Sequence, residues 1–196
     1  MKRIKNILIA LLVGLTAVCT PVYAASSESH YVDEYGNTFD MTNGSLVVIY
    51  DEFGNIVESC LQPRSIQVNG TQYSIPPRGS LVTAQYTPSS SFDAGFYFEH
   101  SSCSGNATTP DSSITVLIRN ATTLNATTRY GVATKTFSTT KSDNIGSSYY
   151  IDGIQSGCSL VRISAPSISS SRPYYDAKYS NNTNNYVTIS LFVSTD

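Results

Sequence analysis

Apolar and polar residues alternate with a period of two along much of this chain. The cleanest run is C-terminal, where Val187, Ile189, Leu191 and Val193 are separated by Thr188, Ser190 and Phe192. Ile114, Val116 and Ile118 alternate with Thr115, Leu117 and Arg119, Phe96 and Phe98 with Tyr97 and Glu99, and Val161 and Ile163 flank Arg162. Successive side chains of an extended strand point to opposite faces, so each run predicts a strand with one face toward a core. Leu46–Tyr50 is a further β-rich segment, and residues 129–139 and 147–151 carry weaker strand signals. No stretch after the N-terminal region repeats with a helical period between caps. The pattern predicts an all-β chain: a single antiparallel β-sandwich, immunoglobulin-like or jelly-roll-like, of roughly ten short strands. Crossover helices for a parallel sheet are not predicted anywhere.

Turn chemistry supports this reading. Ser65–Val68 and Thr71–Ser74 flank Asn69-Gly70, which accepts the positive φ angles of a type I′ turn, and predict a two-residue hairpin. Asp33-Glu34-Tyr35-Gly36-Asn37 and Asp51-Glu52-Phe53-Gly54-Asn55 repeat one pattern, with glycine at the left-handed position of a longer hairpin loop. This repeat resembles the tyrosine–aspartate repeats of large bacterial surface proteins, but two copies over a small part of the chain assign no family. The paired acids are expected to be solvated turn residues. Their spacing does not supply the ligand set of an EF-hand.

The N-terminus changes the compartment. Lys2, Arg3 and Lys5 precede an uncharged apolar stretch from Ile7 to Val18, and Val22 and Ala24 stand at −3 and −1 of a cleavage site before Ala25. This is the pattern of a signal peptide, and the apolar run falls short of the roughly 20 residues of a membrane span. The expected organisation is a signal peptide over 1–24 and one secreted all-β extracellular domain over 25–196, with no transmembrane segment after cleavage. Val18 and Thr16 do not suit lipidation at Cys19. Loss of the three basic residues takes the formal charge from −2 to −5, and only 13% of the chain is charged. An acidic, hydroxyl-rich surface does not attract nucleic acid. Export permits disulfides, and Cys60, Cys103 and Cys158 remain. Loop-like Ser/Gly contexts favour a Cys103–Cys158 bridge, leaving Cys60 as a buried thiol.

Candidate chemistry is sparse, and no cofactor or metal site is expected. Gly157-Cys158-Ser159-Leu160-Val161-Arg162 resembles the nucleophile segment of L,D-transpeptidases, in which a thiolate attacks an acyl donor with histidine as base. Ser156 stands where that histidine belongs, Arg162 lies too far along, and His30 and His100 are the only histidines. Glu99, His100 and Cys103 lie close in sequence, but adjacent strand residues face opposite ways. Tyr174, Tyr175 and Tyr179, with Tyr149, Tyr150 and Tyr186, could offer amphipathic contact area to a sugar or protein partner. Triplets such as Asn43-Gly44-Ser45, Asn106-Ala107-Thr108 and Asn120-Ala121-Thr122 match the glycan-acceptor pattern, which arises by chance in a chain this rich in Asn, Ser and Thr. The expected function is a secreted bacterial noncatalytic binding or surface-interaction protein, its partner an extracellular protein or glycan. The alternative is a secreted cell-wall or polysaccharide-acting enzyme.

Overall fold

A computed structural model describes residues 29–41, 44–63, 72–84, 90–99, 113–138, 151–155 and 158–195. Among these the regular elements are all strands: β1 (His30–Val32), β2 (Thr38–Asp40), β3 (Gly44–Tyr50), β4 (Ile56–Pro63), β5 (Gln72–Ile75), β6 (Ser80–Ala84), β7 (Phe92–Glu99), β8 (Ser113–Ala121), β9 (Tyr130–Ser138), β10 (Ile151–Gln155), β11 (Cys158–Ser164), β12 (Tyr174–Asn181) and β13 (Val187–Thr195). They form a six-stranded sheet in the order β4-β3-β6-β12-β8-β9, a five-stranded sheet β10-β11-β7-β13-β5, and the small hairpin β1-β2. Every strand pairing is antiparallel.

One core joins the two larger sheets. Val47 and Ile49 of β3, Leu81 of β6, Ile114, Val116 and Ile118 of β8, and Tyr175, Ala177 and Tyr179 of β12 come from the first. Phe92, Ala94 and Phe96 of β7, Val161 and Ile163 of β11, and Val187, Ile189, Leu191 and Val193 of β13 come from the second. The period-two alternation therefore sets the inner faces as the sequence predicts, and the arrangement is sandwich-like.

Tyr179 ties the layers together. Its ring is fully buried, and its hydroxyl reaches the opposite sheet, donating to the Phe192 carbonyl at 2.9 Å and accepting from the Gly95 N–H at 3.1 Å. Gly95 and Phe192 are register partners on β7 and β13, so one phenol bridges two strands of the other layer. A side chain at Gly95 would strike the backbone of Val161 and Arg162. Asn181 acts similarly at the end of β12: its amide donates to the carbonyls of Ile75, Pro76 and Asn185 and accepts from Thr183.

The structure corrects several expectations. Thirteen strands appear among the described residues instead of about ten. β6 and β12, which the alternation did not single out, are interior strands of the six-stranded sheet. The non-core face of β13 is not open to water: Ser190 and Phe192 are buried, and the Arg162 guanidinium lies 5.6 Å from the Phe192 ring centre. The signal segment, the Asn69-Gly70 turn and residues 147–150 lie outside the described residues. Among the described residues no helix is long and apolar enough to cross a membrane.

Candidate functional site

The two Asp-Glu-aromatic-Gly-Asn segments fold alike. Asp33 Oδ1 accepts from the backbone N–H of Tyr35 (2.9 Å) and Asn37 (2.7 Å), while the Asn37 amide donates to Oδ2 (2.8 Å). Asp51 receives the same three bonds from Phe53 (2.9 Å), Asn55 backbone (2.8 Å) and Asn55 amide (2.8 Å). In both, the aspartate N–H donates to the asparagine carbonyl and the glycine N–H to the aspartate carbonyl. Gly36 and Gly54 take φ of +86° and +84°, the left-handed conformation that favours glycine. The bonds from the Asn55 side chain, then those from the backbone, hold the Asp51 carboxyl below its ordinary range.

The copies differ in environment. The second closes β3 onto β4 and leaves Asp51 only partly covered. The first closes β1 onto β2 and rests on the second: the Tyr35 ring lies where a side chain at Gly54 would go, and its centre is 5.1 Å from that of Tyr50. Asp33 is buried and takes a further bond from the Tyr50 hydroxyl at 2.7 Å. Burial, then the Asp33 carboxylate, pushes the Tyr50 phenol far above its usual value. Asp33 is thus not the solvated turn acid that the sequence suggests.

The hairpin β1-β2 covers the outer face of the six-stranded sheet. Tyr31 and Met41 pack with Leu46, Val48, Tyr50, Val82, Ala84 and Leu124 in a second apolar cluster. Beside it lies a buried ionic network. Asp176 and Arg119 stand directly opposite on β12 and β8, and Arg119 Nε and Nη2 donate to the two Asp176 oxygens at 2.8 and 2.9 Å. The Tyr31 hydroxyl donates to Asp176 Oδ2 at 2.9 Å. Arg129 Nε lies 3.3 Å from the same oxygen without hydrogen-bond alignment, its Nη2 donates to the Val32 and Leu124 carbonyls, and its guanidinium covers the Tyr31 ring at 4.2 Å. Glu34 accepts from Arg119 Nη1 at 3.0 Å and from the Lys178 ammonium. Burial raises the Glu34 carboxyl, but Lys178 and Arg119 together outweigh it and hold the group below its ordinary range. Burial acts against charge on Arg119, yet Asp176 more than offsets it and raises the guanidinium. This network positions the hairpin.

Several exposed aromatic side chains of the described residues lie at one end of the molecule. Tyr50 pairs with Ser80, and Ser80 with Ser180, so the 51–55 turn, the 76–79 turn and the loop after Asn181 share that end. Phe53 is 79% exposed and Tyr35 47%, both on these hydrogen-bonded turns, and Tyr186, 62% exposed, leads into β13. The Arg78 side chain donates from Nε to Asn184 Oδ1 at 2.8 Å, bracing the 76–79 turn against the 182–185 loop. Rigid aromatic rings among amides can stack on a sugar or partner surface at little entropic cost.

The residues singled out from the sequence are placed differently. Tyr175 and Tyr179 are core residues with bonded hydroxyls, and Tyr174 packs against the second cluster, so these three rings do not make an exposed face. Of the tyrosines named, Tyr186 is the exposed one among the described residues. Cys158 opens β11 with Glu99 as its register partner, while His100, Cys103 and Ser156 lie outside the described residues, as does Ala24-Ala25. Cys60 is a half-buried thiol packed against the main core. Asn120 is buried within β8 and is no glycan acceptor in the folded chain. His30 is exposed on β1. Among the described residues no group of three His, Cys, Asp or Glu could hold a metal. The sequence reading missed Arg119, Arg129 and Asp176; the one available signal was an acid on alternate positions with Tyr174 and Lys178 in a segment otherwise spaced like a strand.

No family model matches the chain, and no curated protein or solved structure matches it.

Proposed function

We propose that this chain is a secreted bacterial binding or surface-interaction module without catalytic chemistry, built on a β-sandwich and contacting an extracellular glycan or protein through the end that carries Phe53. The observation that supports it most is Phe53 itself, a large apolar ring left 79% exposed on a turn held by three bonds to Asp51. A single exposed apolar side chain is ordinary on a protein surface; Phe53 counts because Tyr35 packs on the same turn and Tyr186 lies at the same end. Tyr35 and Tyr186 extend the aromatic area, and the Asn182–Asn185 loop supplies amide donors and acceptors beside it. Sandwich folds place recognition on such end loops.

The test is a glycan and cell-envelope binding screen on the 25–196 chain, repeated with Phe53→Ala and Tyr186→Ala. Binding should weaken about tenfold or more in Phe53→Ala, since buried aromatic anchors carry at least about 1.4 kcal/mol each. The melting temperature should stay unchanged. Ligand affinity indifferent to both substitutions would reject this end as the contact surface.

A further inference from the structure

The six-stranded sheet has a second end, away from Phe53. Ser80, Ser180 and Thr115 share the row beside Tyr50, whereas Ala84, Asp176 and Arg119 share the row at the far end, where Arg119 meets Gly131. There β9 starts at Tyr130, and the 165–173 segment leads into β12. Most arginines of the described residues are already engaged. Arg119 and Arg129 meet Asp176, Arg162 meets Asp93, and Arg78 donates to the Asn184 amide oxygen. Among the described residues, the Arg172 side chain meets neither a carboxylate nor a carbonyl. Its guanidinium lies over the Tyr130 ring, 3.7 Å from the ring centre. Tyr130 is still 43% exposed, so the pair stands at the surface.

The arginine has a fixed mount. Ser169 and Arg172 form an antiparallel bridge, and the Arg172 N–H donates to the Ser169 carbonyl at 3.2 Å. The hydroxyl of the core residue Tyr175 accepts from the Ser169 N–H at 2.9 Å and donates to the Ser167 carbonyl at 3.1 Å, which pins the turn to the core. Asn120 of β8 is the register partner of both Tyr130 and Tyr175, so these three side chains share the inner face of the sheet. Asn120 is 2% exposed, and its Oδ1 has no hydrogen-bond partner. A buried acceptor in that state is uncommon, and this one stands next to the ring that Arg172 covers. The exposed side chains around the pair are mainly hydroxyls: Ser170 and Ser171 on the turn, and Thr127 and Thr128 just before Arg129.

We propose that Arg172 and Tyr130 form a binding site for a carboxylate-bearing sugar, with the acid on the guanidinium and the sugar hydroxyls against Ser170 and Ser171. A guanidinium offers a planar fork that matches a carboxylate with two parallel hydrogen bonds. Stacking on a ring holds the fork in place and leaves its in-plane N–H donors free for a ligand. Arg119, whose fork is spent on Asp176, has no such capacity. A protein carboxylate would satisfy Arg172 equally well, but the centre of a protein interface is apolar and this surface is hydroxyl-rich, which suits a polyhydroxylated ligand. The site lies at the opposite end from Phe53 and does not depend on the reading above.

Titration calorimetry of the 25–196 chain tests this with oligogalacturonate and with glucuronate- and sialic-acid-terminated oligosaccharides, each beside its methyl ester. At least one acid should bind, and its ester, which keeps the hydroxyls and loses the charge, should bind about tenfold or more weakly. Arg172→Gln should weaken binding of the acid to the same extent and melt within a few degrees of the parent, because Arg172 is only half-buried. The proposal is overturned if no sugar acid binds, if ester and acid bind alike, or if Arg172→Gln binds as the parent does. Binding lost in Phe53→Ala and kept in Arg172→Gln would put the sugar acid at the other end. An acidic peptide that binds where no sugar acid does would replace the sugar with a protein partner.

Discussion

A phenol hydroxyl sealed in a hydrocarbon core must find hydrogen-bond partners or destabilise the fold. Tyr179 has two, the Gly95 N–H and the Phe192 carbonyl, and both belong to the facing sheet. Burial drives its ionisation far above the usual range, so the group is a neutral bridge at any physiological pH. Tyr179→Phe keeps the ring and removes the bridge, leaving two backbone groups to re-pair. Chemical denaturation should show a loss of about 1–3 kcal/mol, the cost of unsatisfied buried polar groups. The sequence showed this residue as one aromatic among many. Its distinction comes from the backbone facing it across the core.

At the scale of elements, β13 was the most legible. Four inner residues, Val187, Ile189, Leu191 and Val193, are fully buried as their alternation predicts. Its other face is partly covered too, which the alternation does not show, because the period of two says which residues share a face and nothing about what covers it. Ser190 is buried and Thr188 is only partly so. A carboxylate is therefore expected to be tolerated at Thr188 and at neither Ile189 nor Ser190. Ile189→Asp should prevent stable folding, since an unpaired buried charge costs several kcal/mol against a net stability of about 5–15 kcal/mol. Thr188→Asp should melt cooperatively within a few degrees of the parent. Thermal unfolding by circular dichroism separates the two. β12 shows the opposite case. Tyr175, Ala177 and Tyr179 face the core, but Asp176 and Lys178 interrupt the apolar signal because their partners, Arg119 and Glu34, lie far off in sequence.

Across the whole molecule, the β1-β2 hairpin converts two layers into three. Its apolar residues cover Leu46, Val48 and Tyr50, and Glu34 meets the sheet's Arg119 and Lys178. The pairs of Glu34 with Arg119 and Lys178 are partly open to water, so each adds modest stability, but together they fix where the hairpin docks. Glu34 is held below its ordinary pKa, so its stabilising contribution is complete above the unfolded value of about 4.3 and is lost as pH falls through the lower folded value. Glu34→Gln should therefore melt below the parent near neutral pH. The gap should narrow as pH drops below about 4, where the parent's own carboxyl becomes neutral. Melting curves of both proteins from about pH 7 to about pH 2.5 give the comparison, and a gap constant over that range would remove Glu34 from the docking contacts.

The sequence by itself determined the strand class, the inner faces of β8, β11 and β13, and the geometry of the two Asp-Glu-aromatic-Gly-Asn turns. These are local matters: side chains alternate along an extended backbone, and an aspartate bonds the turn that it starts. Tertiary structure alone decided that Asp33 is buried while its counterpart Asp51 is not, that Tyr175 and Tyr179 are core while Phe53 is surface, and that Asp176 meets two arginines. Each of those outcomes depends on which distant segment covers a face, and that information is absent from the period of any single strand.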